Sequence, residues 1–352
     1  MKKPLDYNTG MLGDIKGFTR EELRRFFAEE GFAKFSSSQI FNWIYKKRVE
    51  DFSLMTNLSK SLRDFLPRNF YFSKLELKDK AVSEDKTEKF LFKLKDSSLI
   101  ETVLIPEPKR NTLCLSTQVG CKFKCSFCVS GLSGFKRNLE VSEMVNQFLY
   151  LSDYLKPAKV TNAVFMGIGE PLDNLENLIK AVKIIMDEQG IYLGKRKICI
   201  STAGLASKIR NLADLGLGVG LSVSLHCADD QRRSRIMPIN KRYSLEELTK
   251  ALLYFTKKEK KPVTLEYILI KELNSSREDA VRLSRLARKL NCKINLIPYN
   301  PCEYFEWQAP DKSEIEGFTK ALKEKNTFFT LRKARGRDIE ASCGQLRSRF
   351  EA

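Results

Sequence analysis

The 352-residue chain contains a single histidine, His226, so any metal site built partly from histidine can draw on one ring only. No stretch approaches the ~18 consecutive apolar residues of a membrane-spanning helix, and none is expected. The opening MKKPLDYNTGMLGDIKGF begins with two lysines, Lys2 and Lys3, but has no apolar run behind them, so a secretory signal is not expected and the cytoplasm is the expected compartment. Cysteine is too sparse for a disulfide scaffold: there are nine, an odd number, spread widely, with three clustered. Long low-complexity linkers and short-period repeats are also lacking. Aromatic residues make up only 10%.

What is present is apolar bulk and positive charge. Hydrophobic residues are 42% of the chain, enough for one large core with smaller additions. The 62 basic and 44 acidic residues give a formal charge of +18. That excess fits a polyanionic partner, nucleic acid first, against general solubility as the plain alternative. KRK at 195–197 and RKARGR at 332–337 are local concentrations.

Three regions follow from pattern. Residues 1–69 read as a helical, RNA-binding accessory domain. FTREELRRFFAEEGF has a Thr19 cap and acids in its first turn, and further helices fall in QIFNWIYKKR and LSKSLRDFL. Residues 70–117 alternate apolar and polar in FYFSKLELK, EKFLFKLK, SLIETVLIP and NTLCLST, which reads as an antiparallel β extension. In 118–352, NAVFMG, KICIST, GLSVSLH, VTLEYILI, KINLIPYN and FFTLRK read as strands separated by amphipathic helices. The class is α/β: a parallel sheet of six strand–helix units, an open partial (β/α)6 barrel. GIGEPLDN, STAG, SLH and YNP fall at the carboxyl ends of these strands, where barrel enzymes place their chemistry.

CKFKCSFC places Cys121, Cys125 and Cys128 at C-x3-C-x2-C. Three thiolates can hold three irons of a 4Fe–4S cluster and leave the fourth iron open. A zinc site completed by His226, or a chance group of buried thiols, remains an alternative.

This spacing, with Phe127 before the last cysteine, resembles the signature of radical S-adenosylmethionine enzymes, whose usual fold is a partial barrel. ETVLIPEPKRNTLCLSTQVGCKFKCSFC, FMGIGEPLDN, LSVSLH, IMPINKRY, VTLEYILI, KINLIPYNP and RGRDIEASCGQL resemble the bacterial adenine-C2 methyltransferases of 23S rRNA, which also act on certain tRNAs. The resemblance implies that Cys121, Cys125 and Cys128 ligate the cluster. It implies a cofactor pocket of Gly169, Glu170, Ser201, Ser224, Leu225, His226 and Asn300. It makes Cys343 the methyl carrier, Cys114 the thiol that resolves its adduct through a transient disulfide, and Glu101 a proton acceptor. Taken singly, these last three read as buried small hydrophobes and a solvent-facing strand residue.

The implied reaction consumes two S-adenosylmethionine molecules. One methylates the Cys343 thiolate; the other gives a radical that activates the S-methyl carbon for addition to electron-poor C2. The implied partners are 23S rRNA, tRNA and an electron donor such as flavodoxin or ferredoxin, for a monomer that uses no membrane. Backbone contacts to RNA are expected from the N-terminal helices and RKARGR. Two other readings stand beside this one. The related C8 methyltransferases share the cysteines, although GEP at 169–171 and RGRD at 335–338 fit the C2 enzymes better. A non-catalytic RNA-binding protein with an iron–sulfur or zinc site would need neither Cys114 nor Cys343. The chain departs from the family's pattern in ASC for AAC and in the loop NPCEYFEWQAP.

Overall fold

The computed structural model describes residues 13–347; the opening lysines and the last five residues lie outside them. Two compact units form. The first combines residues up to Leu75 with 140–156 and 176–194, and the second contains the rest.

In the first unit, strand β1 (Gly13–Asp14) pairs in parallel with β2 (Phe70–Tyr71). The helices are α1 (Arg20–Glu29), α2 (Ser36–Phe41), α3 (Lys60–Asn69), α4 (Val141–Tyr154) and α5 (Leu175–Met186). Thr19 caps α1 as expected: its hydroxyl accepts the Glu22 N–H, and the Glu22 carboxylate accepts the Thr19 N–H at 2.9 Å. Polar side chains join the early segments to the later helices. Buried Lys16 donates to Asn146 Oδ1 at 3.0 Å, and Arg20 pairs with Asp187 at 2.9 Å. These bonds explain why α4 and α5, far along the chain, belong to this unit.

The second unit is built on one ten-stranded sheet. Its strands are β3 (Glu76–Val82), β4 (Glu88–Lys93), β5 (Leu99–Glu107), β6 (Arg110–Cys114), β9 (Asn162–Phe165), β10 (Ile198–Thr202), β11 (Gly220–Ser224), β12 (Thr264–Leu269), β13 (Lys293–Pro298) and β14 (Phe329–Leu331). A separate hairpin pairs β7 (Gln118–Gly120) with β8 (Phe135–Asn138). β3 to β6 are antiparallel neighbours, and β6, β9, β10, β11, β12, β13 and β14 run parallel. Helices α6 (Ala206–Asp214), α7 (Asp230–Ile236), α8 (Leu245–Glu259), α9 (Arg277–Leu290) and α10 (Lys312–Glu324) fall between or after the parallel strands.

The α/β partial barrel with an antiparallel extension is therefore present, with two differences in detail. NTLCLST is both the last antiparallel strand and the first parallel one. Cys114 stands opposite Val103 on one side and Val164 on the other. Period-two alternation marks a strand but not its partner's direction, so six parallel strands were expected and seven occur. FYFSKLELK also divides, its start pairing with β1 and its end opening β3.

Ile200, Val223, Leu265, Tyr267, Ile294 and Leu296 are fully or nearly fully buried, as befits parallel strands covered on both faces. Ser201, Ser222, Ser224, Glu266 and Asn295 alternate with these residues and share the opposite face. Among the described residues, no helix is long and apolar enough to cross a membrane.

Candidate active site at the carboxyl ends of the parallel strands

The loop after β7 carries the three spaced cysteines. Gly120 enters it at φ +74°, and a Cβ there would lie 1.8 Å from the Gly134 carbonyl oxygen, so only glycine fits. Backbone bonds fix the loop: Cys121 N–H donates to Gly134 O, Ser126 N–H to Ile236 O and Cys128 N–H to Cys125 O. Trp307 Nε1–H donates to Ser126 O at 2.8 Å. Cys121, Cys125 and Cys128 then line one cavity, together with Gly169, Glu170, Ser201, Ser224, His226, Glu266, Arg332 and Cys343.

Burial pushes the Cys121 thiol up to about 12, and it pushes Cys125 well above the ordinary range. Cys128 is also raised by burial, against hydrogen bonds from Ser130. Each of these thiols resists ionising alone, so holding all three as thiolates calls for a cationic occupant. Among the described residues, no three His, Cys, Asp or Glu side chains converge on a point as a single-ion site requires. A four-iron cluster asks something different, one thiolate on each of three irons, and three thiols spread around a shared cavity fit that demand.

His226 does not complete a zinc site. Its Nδ1 accepts the Ile268 N–H at 3.0 Å, which leaves the ring proton on Nε2. Burial, with Arg233 nearby, holds the ring neutral by lowering its pKa to about 3. Phe127 packs edge-on against it at 4.7 Å.

Glu170 is buried, and desolvation raises its carboxyl to about 7. Its oxygens accept the Ala203 N–H at 2.6 Å and the Leu172 N–H at 3.0 Å, while its own N–H donates to Gln118 Oε1. Gly169 has φ +100°, and a Cβ there would sit 2.5 Å from Gln118 Cβ. Leu225 and Asn300 do not line the cavity. The Leu225 backbone is held by Glu266 O and by Arg233 Nε. Asn300 is buried with its Oδ1 lacking a hydrogen-bond partner.

Cys343 faces the cavity and is exposed at its edge. Surrounding protein still desolvates its thiol and raises the pKa, opposed first by the Arg332 guanidinium. Cys114, at the end of β6, does not line the cavity but packs with Ala341 beside Val103, Ile168 and Leu346. Burial pushes its thiol to about 12, with Cys343 the next contributor. The fold therefore brings the two distant cysteines into one neighbourhood, both as free thiols. Glu101 lies outside the cavity lining and is 3% exposed.

Sequence reasoning missed several groups in and beside the cavity. Glu266 Oε1 accepts Ser222 Oγ–H and Asn295 Nδ2–H, both at 3.0 Å, and its Oε2 lies 3.7 Å from Arg332. The signal was a lone acid inside the apolar run VTLEYILI. Arg332 belongs to RKARGR, where RNA-backbone contact was expected, yet it lines the cavity. Fully buried Arg233 donates to Leu225 O, Asn240 Oδ1, Ala203 O and Ser224 O, tying together the ends of β10 and β11. Cys199, Cys227, Cys292 and Cys302 stand outside the cavity lining.

Residues 13–71 match the family described as ribosomal RNA large subunit methyltransferase N-terminal domain, and 115–284 match the radical SAM superfamily. A probable dual-specificity RNA methyltransferase RlmN of Caldanaerobacter subterraneus is 42% identical over 96% of this chain and 98% of its own. The dual-specificity RNA methyltransferase RlmN of Geotalea uraniireducens is 42% identical over 96% and 97%. The crystal structure of a radical SAM methyltransferase from Sphaerobacter thermophilus superposes with a TM-score of 0.88 at 38% identity, covering 95% of this chain and 99% of that one. Near-complete coverage at this identity, on a sheet whose strand ends gather three spaced thiols and Cys343 around one cavity, places the chain in the RlmN family of radical SAM RNA methyltransferases.

Proposed function

We propose that this chain methylates C2 of an adenine in the peptidyl-transferase centre of 23S rRNA and of the adenine 3′ to the anticodon in certain tRNAs. One observation carries the reading: the three loop cysteines and Cys343 share a cavity, and Cys114 packs in the cluster beside the Cys343 segment. A binding module would need the first group and not the second.

Cys121, Cys125 and Cys128 would hold the cluster, and Gly169, Glu170, Ser201, Ser224, Leu225, His226 and Asn300 would surround the cofactor. The orphaned Oδ1 of Asn300 supports its part, since a buried acceptor calls for a donor. When bound, a 4Fe–4S cluster and S-adenosylmethionine supply the methyl group and the one-electron chemistry that removes a hydrogen from a methyl on Cys343.

The chain supplies the rest. Arg332 favours the thiolate of Cys343, the nucleophile that first accepts the methyl group. Once the methyl carbon is joined to C2, the C2 proton leaves to Cys114 or Glu101, and the odd electron would pass back to the bound one-electron centre, which restores the aromatic ring. Cys114, as the thiolate, then attacks the Cys343 sulfur; the sulfur–carbon bond breaks with its electron pair on the methylene carbon, and that carbon takes back the proton held by the acceptor to become the methyl group. Methylated base is released and a Cys114–Cys343 disulfide remains, which an external thiol must reduce. The target base must leave its stack to reach the cavity. The +18 charge favours RNA backbone contacts. A small flavin or iron–sulfur carrier is the proposed electron donor, and the proposed working form is a monomer in the cytoplasm.

The test is nucleoside analysis by chromatography and mass spectrometry after reaction of reconstituted protein with 23S rRNA and tRNA. 2-Methyladenosine in both supports the proposal. 8-Methyladenosine, or no methylated adenine, overturns it.

A further inference from the structure

The Cys343 segment is not an element of the parallel sheet; Val129 N–H and Ser130 Oγ–H donate to its Gly344 and Leu346 carbonyls, and the antiparallel extension holds it from the other side. Along β5, Glu101, Val103 and Ile105 share one face by the two-residue strand period. Val103 and Ile105 pack with Ala341 and Leu346. Glu101 therefore points to the same segment, and its contacts agree. Glu101 Oε2 accepts the Arg347 N–H at 2.8 Å, and Oε1 pairs with Lys89 Nζ at 3.2 Å. Lys89 stands on β4 opposite Val103, diagonal to Glu101, and its Nζ also donates to the Glu340 carbonyl at 3.4 Å. One buried ion pair thus touches the main chain on both flanks of Cys343. The β3–β4 turn adds further ties: Ser83 Oγ–H and Glu84 N–H donate to the Asp338 carboxylate, and Gly336 N–H donates to Asp85.

We propose that Lys89 and Glu101 form a clasp that fixes the Cys343 segment between the cavity and Cys114, so that Glu101 is a positioning residue rather than the acceptor of the substrate's C2 proton. The inference rests on the methyl-carrier reading of Cys343 and refines it. Both carboxylate oxygens of Glu101 are engaged with protein, its side chain is 4% exposed, and it lies outside the cavity lining. A general base must come within hydrogen-bond reach of the proton it takes. Proton removal then falls to Cys114, the other acceptor already named. The clasp also explains how two cysteines far apart in sequence keep the closeness that a disulfide step demands.

The experiment has two arms. The first needs neither cofactor nor RNA: hydrogen–deuterium exchange at the Arg347 amide, in wild type, Glu101→Ala, Glu101→Gln and Lys89→Met. Glu101→Ala should speed that exchange by about ten-fold through loss of a charge-assisted buried acceptor. Glu101→Gln keeps an acceptor oxygen and should stay within about three-fold of wild type. Unchanged exchange in Glu101→Ala overturns the clasp. The second arm follows reconstituted protein with substrate RNA. Glu101→Gln should turn over without accumulating a covalent protein–RNA adduct, whereas Glu101→Ala should show less methylated Cys343 by intact mass. Accumulation of adduct in Glu101→Gln overturns the proposal and restores Glu101 as the base. If wild-type Cys343 never carries a methyl group, the underlying functional reading fails, and the exchange arm still decides whether the clasp exists.

Discussion

The loop bearing Cys121, Cys125 and Cys128 and the pair Cys114 and Cys343, of which only Cys343 lines the same cavity, are placed by opposite means. The loop places its thiols through eight consecutive residues, a positive-φ glycine and a few backbone bonds. The pair has no local logic. Cys114 ends the strand where antiparallel turns to parallel, and Cys343 sits on a segment carried by side chains from β4 and β5 and tied by Val129 and Ser130 to the end of the cysteine loop. A group whose spacing is local survives wherever the loop folds. A group assembled from distant segments depends on every contact that joins them. The two halves of the chemistry should therefore fail separately.

The largest effects test that separation. Cys125→Ala removes one of the three proposed cluster ligands, and adenine methylation should fall to background. The Arg347 amide should exchange as in wild type, because nothing in the clasp touches Cys125. Cys114→Ala should reverse the pattern: iron content and the visible absorption of the reconstituted cluster stay intact, while a covalent protein–RNA adduct accumulates instead of free product. Normal turnover by Cys114→Ala would remove Cys114 from the mechanism.

The same contrast decides what was legible beforehand. The cysteine loop stood out from spacing alone as a candidate metal site, because its three thiols fall within eight residues, and the family resemblance chose an iron–sulfur cluster over zinc. Cys114 and Cys343 had meaning only through resemblance to a family, since nothing local separates a reactive cysteine from a buried small hydrophobe. Glu101 could be placed on a strand, but alternation does not say what covers a face. A residue that reads as exposed when taken singly is buried beneath Glu340–Arg347 contacts. Arg332 misled in the other direction. Its basic neighbours suggested an outer RNA surface, yet Arg332 N–H continues the ladder to Leu296 O and the residue lines the cavity.

A smaller effect is expected at the strand ends that both regions share. Arg233→Met leaves four acceptors without their donor, on Ala203, Ser224, Leu225 and Asn240. A loss of ~3 kcal/mol in urea unfolding is expected, because buried acceptors then carry their desolvation cost uncompensated. Arg233→Lys should recover only part of it, since one ammonium cannot reproduce the guanidinium fork. Full stability in Arg233→Met would mean that the strand ends hold without the clamp and that the cysteine loop does not depend on it.

The finest contrast lies between two rim groups, Glu170 anchored to Gln118 at the start of the cysteine loop and His226 anchored to β12. Glu170 titrates near 7 in the folded protein against an ordinary 4.5, and His226 near 3 against 6.5. As pH falls from 6.5 to 5, the unfolded chain protonates His226 and the folded chain does not, so stability is lost. Over the same window the folded protein already holds a proton on Glu170, and the unfolded chain must be driven toward taking one. Acidification therefore relieves the cost of keeping that carboxyl neutral, and stability is gained. Each contribution amounts to roughly 2 kcal/mol over this window, at ~1.4 kcal/mol per pH unit. The two should nearly cancel in metal-free wild type. His226→Gln should gain about 2 kcal/mol between pH 6.5 and 5, and Glu170→Gln should lose about as much. Urea midpoints at the two pH values read the difference directly. Parallel slopes in the two variants would show that neither group is held in the protonation state its surroundings impose.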